Sequence, residues 1–97
     1  MVEVTKETSC AKDLYHGHTT VGLIPVQLCD ARVSYRGTLV FSSTNNTAVV
    51  FLGGANVSPS TGLPLFPGMS ITLPTDDPSS VYLVSTADDQ DVAYLGV

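Results

Sequence analysis

The chain has 97 residues, a formal net charge of −5 and 13% charged residues, against about 25% in a typical soluble domain. That length fits one domain with a modest core. Its four strong bases, Lys6, Lys12, Arg32 and Arg36, are too few to neutralise a phosphate backbone or an anionic lipid surface, so neither nucleic acid nor membrane is an expected partner. No apolar run approaches the ~20 residues of a membrane-spanning helix.

Residues 1–20 form a polar, mixed-charge leader without a clean period. It reads either as an N-terminal arm that orders against its own domain or a neighbour, or as a frayed terminus. It holds no basic segment followed by an apolar stretch, so no secretory signal is expected. A single cysteine pair, Cys10 and Cys29, does not define a disulfide. Two thiols in a reducing cytoplasm are expected instead. His16-Gly-His18 places two imidazoles on one side of an extended chain, a geometry that can serve zinc or iron. A structural zinc site takes four ligands, and no second close pair exists in the sequence. Solvated histidines are therefore expected, with no metal or other cofactor. Three such pairs around a threefold axis are the arrangement that would complete a site.

From Val21 the texture changes. VGLIPVQL (21–28), ARVSYRGTLVF (31–41), TAVVFL (47–52), MSITL (69–73), SSVYLVST (79–86) and DVAYLGV (91–97) are short runs of strand-forming residues. Turn signals separate them: Pro25, Asp30, Gly37, Asn45-Asn46, Gly53-Gly54, residues 59–62, Pro67-Gly68, residues 76–78 and Asp88-Asp89. Short strands with this punctuation predict an all-β fold: one small antiparallel β-sandwich, jelly-roll-like, over residues 21–97, preceded by the arm at 1–20.

Two runs break the alternation expected of a sheet with one wet face. Leu39-Val40-Phe41 and Val49-Val50-Phe51-Leu52 are apolar on both sides. Either a second subunit covers the outer side, or the leader or the loop at 63–69 does.

That loop lies within NVSPSTGLPLFPGMSITL (56–73). Pro59, Pro64 and Pro67 fix φ and restrict the residues before them. Pro67-Gly68 fits the centre of a type II turn. A connection so poor in conformations loses little entropy on ordering. Its Leu63, Leu65 and Phe66 can plug one end of a sandwich or form a fixed apolar ridge.

The carboxylates offer little chemistry. Asp76-Asp77 and Asp88-Asp89-x-Asp91 flank one strand and so fall at opposite ends of the sandwich. Neither group has the ligand set of a calcium loop. They read as turn residues, with Asp76 capping the Asp77-Pro78 turn. No Gly-x-Ser-x-Gly elbow is present and both histidines lie in the leader, so no enzyme is expected. Asn45-Asn46-Thr47 and Asn56-Val57-Ser58 match glycosylation sequons but read as turn residues.

The order FLGG-x-x-V-S-P-S-T-G-L-P-L-F-P-G-M-S-I-T-L, then VYLVST and AYLGV, resembles a small β-sandwich domain of tailed-bacteriophage virion proteins. Phe51-Leu52-Gly53 matches its first element. Val57, Ser60, Gly62, Pro64, Leu65, Gly68 and Ser70 match its loop, and Tyr82, Val84 and Ser85 its next strand. The resemblance covers residues 21–97. It implies a structural virion protein made in the cytoplasm of a host bacterium, with no catalytic residues. The stand-alone length favours a capsid decoration protein bound to the major capsid protein, a homo-oligomer of the trimeric kind. The alternative is a tail or head-fibre module that binds a host receptor or a neighbouring tail protein. On either reading the expected contacts are Leu63, Leu65 and Phe66, the outward residues among Val49, Val50, Phe51 and Leu52, and the arm.

Overall fold

A computed structural model describes residues 15–29, 37–75 and 77–96. Expectations placed on residues 1–14, including Cys10, on 30–36 and on Asp76 lie outside them. The described residues form eight strands: β1 (Tyr15–Val21), β2 (Val26–Gln27), β3 (Thr38–Ser42), β4 (Val50–Gly53), β5 (Leu63–Leu65), β6 (Ser70–Leu73), β7 (Tyr82–Ser85) and β8 (Gln90–Gly96), with a 3-10 turn at Pro78–Ser80. They make two four-stranded antiparallel sheets. Sheet I has the order β1-β8-β3-β6, and sheet II has β2-β7-β4-β5.

The pairing has a simple logic. β1 pairs with β8, β2 with β7, β3 with β6 and β4 with β5. The chain is one long hairpin with its tip at residues 54–62, rolled so that successive rungs fall alternately in the two sheets. β3 then joins β8, and β4 joins β7, to complete each sheet. This is a jelly roll, the sandwich the strand pattern predicts.

Alternation builds the core. Val21, Val40 and Val92 from sheet I meet Val50, Leu52, Leu65 and Leu83 from sheet II. Leu28 and Val81 fill the space between, and Val26, Ile71, Leu73 and Tyr94 pack at the margins. Each such side chain contributes roughly 1.5–3 kcal/mol on full burial.

Three expectations are corrected. The arm does not extend to residue 20, because Tyr15–Val21 is the first strand of sheet I. Its odd positions turn inward and its even ones, His16, His18 and Thr20, are exposed. A strand with a wet outer face looks polar in sequence. VGLIPVQL is not one strand: β1 ends at Val21, and residues 22–25 turn before the two-residue β2. Leu63–Leu65 is a strand and not a loop. Pro64 is tolerated because β5 is the edge of sheet II, where one row of backbone groups needs no partner. The turn that follows is as expected: Gly68 has φ +85 and the Met69 N–H donates to Phe66 O at 2.9 Å.

Register assigns the connections to two ends. Residues 22–25, 43–49, 66–69 and 86–89 gather at one end, and 54–62 and 74–81 at the other. The first end carries the candidate site.

Candidate interaction surface

Two buried or half-buried amides fix that end. Gln90, 2% exposed, sits where β8 begins. Its Oε1 accepts from the backbone N–H of Thr47 and Ala48 at 2.9 and 3.0 Å. Its Nε2 donates to Thr47 Oγ1 and to the Asp88 carbonyl. All four hydrogen-bonding positions of the amide are thus filled. Asn46 lies alongside, with Nδ2 donating to Ser42 Oγ and to the Asp91 carbonyl and Oδ1 accepting the Asp91 N–H. The 43–49 connection is therefore tied to β8 along its length. The 66–69 turn is tied to β3 in the same region, with Gly68 N–H donating to Ser42 O and Ser42 N–H to Met69 O.

Around this polar centre stand large apolar side chains facing solvent. Leu23 and Ile24 project from the 22–25 turn, with Ile24 75% exposed, and Phe66 and Met69 project from the 66–69 turn, with Phe66 51% exposed. β1 and β2 lie at one margin of the sandwich and β5 and β6 at the other. The two apolar pairs therefore flank the latched loops.

A second apolar area lies on the outer face of sheet I. Across β3 and β8, Leu39 is opposite Leu95, and Phe41 opposite Ala93. Leu39 and Leu95 are exposed and Phe41 is half-buried. β1 extends the same rows with His16 beside Leu95 and His18 beside Ala93.

The sequence-predicted contact residues divide. Leu65, Val50 and Leu52 are core residues, so their assignment to an interface is corrected: they occupy the inward phase of β4 and β5. Leu63 and Phe66 are exposed. Val49 and Phe51 are half-buried. Phe51 is in the outward phase of β4, and the tip loop folds back beside it. A Cβ on Gly62 would lie 2.7 Å from both Phe51 Cβ and Val57 Cγ2. Beside the outward Phe51 of β4, then, stand Gly62 of the tip loop and Pro64, its partner on β5. On the outer side of β3, Leu39 is exposed and Phe41 half-buried.

Sequence reasoning missed Leu23, Ile24 and Leu95. Pro25 was the available signal for the first two, since it disfavours helix and marks a turn at Ile24. Leu95 needed the β3·β8 register.

The polar candidates stand as follows. His16 and His18 are exposed, and His18 Nδ1 lies 3.1 and 3.2 Å from the two carboxylate oxygens of Asp91. Among the described residues no group of three His, Cys, Asp or Glu side chains is placed to hold a metal ion. The turn before β7 is capped by Asp77, whose Oδ1 accepts from Ser79 N and Oγ. Asp88 and Asp89 are exposed in the 86–89 connection, Asp89 with φ 60. A small pocket of about 170 Å³ between Leu52, Gly53, Leu63, Leu73 and Val81 has an apolar lining and no ionisable side chain among those residues.

Compared with protein-family models, with curated proteins and with solved structures, the chain matches none of them.

Proposed function

We propose that this protein is a structural virion protein, a decoration protein that binds the outer surface of a tailed-phage head through the end of the jelly roll and reinforces the shell. The observation that carries the reading is the set of solvent-facing side chains Leu23, Ile24, Phe66 and Met69 on connections held by hydrogen bonds. Exposed apolar side chains gathered on a rigid end suit a permanent partner. Their ordering cost is met in the fold, so contact area converts more fully into affinity. The low charge and the resemblance of residues 21–97 to phage virion sandwiches support the same reading.

The major capsid protein is the proposed partner, with an interface of the standard size, about 800 Å² per side. Homo-oligomerisation, through the outer face of sheet I that carries Leu39, Phe41 and Leu95, would multiply weak contacts by avidity. The receptor-binding alternative draws less support. Tyr15 and Tyr94 turn inward, with their rings 6.3 Å apart, which removes two of the four tyrosines from a recognition surface.

The test is binding of the purified chain to heads prepared without it. Saturable binding that falls for Ile24→Ala and Phe66→Ala supports the reading. Binding to whole host cells with none to heads would replace it with the receptor-binding one.

A further inference from the structure

β1 has two properties that its place in the sandwich does not use. The first is its edge. Among the described residues the sheet edges are β1, β2, β5 and β6. β2 has two residues after Pro25, β5 has three and contains Pro64, and β6 has four and is followed by Pro74. Short length and proline are the devices that stop an edge from pairing with another strand. β1 has seven residues and neither proline nor lysine. Among the described residues no strand pairs with its outer side.

The second property is the pair His16 and His18. Both are exposed on the outer face, about 7 Å apart along the strand. His18 is oriented from behind. An ionised carboxylate only accepts hydrogen bonds, so the contact with Asp91 puts the proton on Nδ1. The lone pair is then on Nε2, on a side chain 68% exposed. A carboxylate that fixes the tautomer of an imidazole is the usual support of a metal-bound histidine.

We propose that His16 and His18 are a half-site for a divalent late transition ion of the zinc type, completed by the same two residues of a second copy. Zinc takes four ligands in a closed site, and one chain offers two. A twofold axis at Gly17, with β1 antiparallel to its copy, sets His16 opposite His18 of the partner subunit. Residues directly opposite have Cβ atoms about 5 Å apart. The four imidazoles then form a square on one face of a continuous eight-stranded sheet. Gly17 has no side chain to obstruct the axis, and its inward side is occupied by Tyr94. Imidazole donors discriminate against calcium and magnesium, which favour oxygen. The inference is independent of the decoration reading.

The test is titration of the purified full chain with zinc chloride, followed by calorimetry and by mass in solution. The expected result is half a zinc ion per chain with a rise in mass that EDTA reverses. Calcium chloride should have no effect. His16→Ala and His18→Ala should each abolish both responses. Asp91→Asn should weaken zinc binding about tenfold with the melting temperature unchanged, which separates orientation of His18 from a structural role. One zinc per chain without association would overturn the shared site. Binding that survives either histidine substitution would overturn the ligand assignment, and absence of binding at micromolar zinc would overturn the proposal.

Discussion

The side chain of Asn46 pairs with the backbone of Asp91 as a strand residue would. Its Oδ1 accepts the Asp91 N–H at 2.7 Å and its Nδ2 donates to the Asp91 carbonyl at 2.9 Å. β3 has ended at Ser42, so the amide prolongs the ladder beside β8 by one rung without a strand. Asn46→Ala removes both bonds and the one to Ser42. Leaving polar partners unsatisfied costs about 1–3 kcal/mol. We expect a loss of about 2 kcal/mol in urea unfolding. A change below about 0.5 kcal/mol would show that water replaces the amide freely.

Gln90 makes a stronger claim because it is buried. Gln90→Leu keeps the volume but strands the N–H groups of Thr47 and Ala48, and the expected loss is about 3 kcal/mol. For a domain of this size each kcal/mol shifts the melting point by about 4–8 °C, so a fall above 10 °C is expected. Native-state hydrogen exchange should show the two amides losing protection together.

Adjacent residues Leu65 and Phe66 should behave oppositely. Leu65 is 2% exposed, and Leu65→Ala should cost about 2–5 kcal/mol. Phe66→Ala should change stability by less than about 1 kcal/mol and weaken binding to heads about tenfold. If Phe66→Ala instead unfolds the isolated domain, Phe66 belongs to the core and loses its place in the proposed interface.

How far the sequence reveals this structure depends on which partner a residue needs. β6, β7 and β8 were legible because Val, Ile, Leu and Tyr alternate over several residues between clear turns. The type II turn at Pro67-Gly68 was legible because both residues dictate their own backbone angles. β1 was hidden because its outward residues are His and Thr and its inward ones include a glycine. Gly17 is opposite Tyr94, and Tyr15 is opposite Gly96. Each ring lies over the glycine across from it, so the apolar content of the pair is shared between strands distant in sequence. β5 was hidden because proline argues against a strand unless the strand is known to be an edge. The apolar end of the molecule was half legible. Phe66 stood out in its loop, while Leu23 and Ile24 resembled the start of a strand until the register ended β1 at Val21.

The two Gly–Tyr pairs are testable. A Cβ on Gly96 would lie 2.3 Å from Tyr15 Cζ, and one on Gly17 would lie 2.6 Å from Tyr94 Cζ. Tyr94 packs against the core and Tyr15 is hydrogen-bonded to the buried Thr38 hydroxyl, which restrains both rings. Gly96→Ala and Gly17→Ala should each destabilise by about 1–3 kcal/mol, as overpacking does. Gly54→Ala, with nothing within 4 Å of the new Cβ, is the control and should be near neutral in the same thermal melts.

The central claim is that this jelly roll decorates a phage head. Its most direct test is the copy number of the chain in purified particles, by quantitative mass spectrometry against the major capsid protein. Copies in the hundreds, in a fixed ratio to the capsid protein, are predicted. A handful of copies per particle, or none, would contradict it.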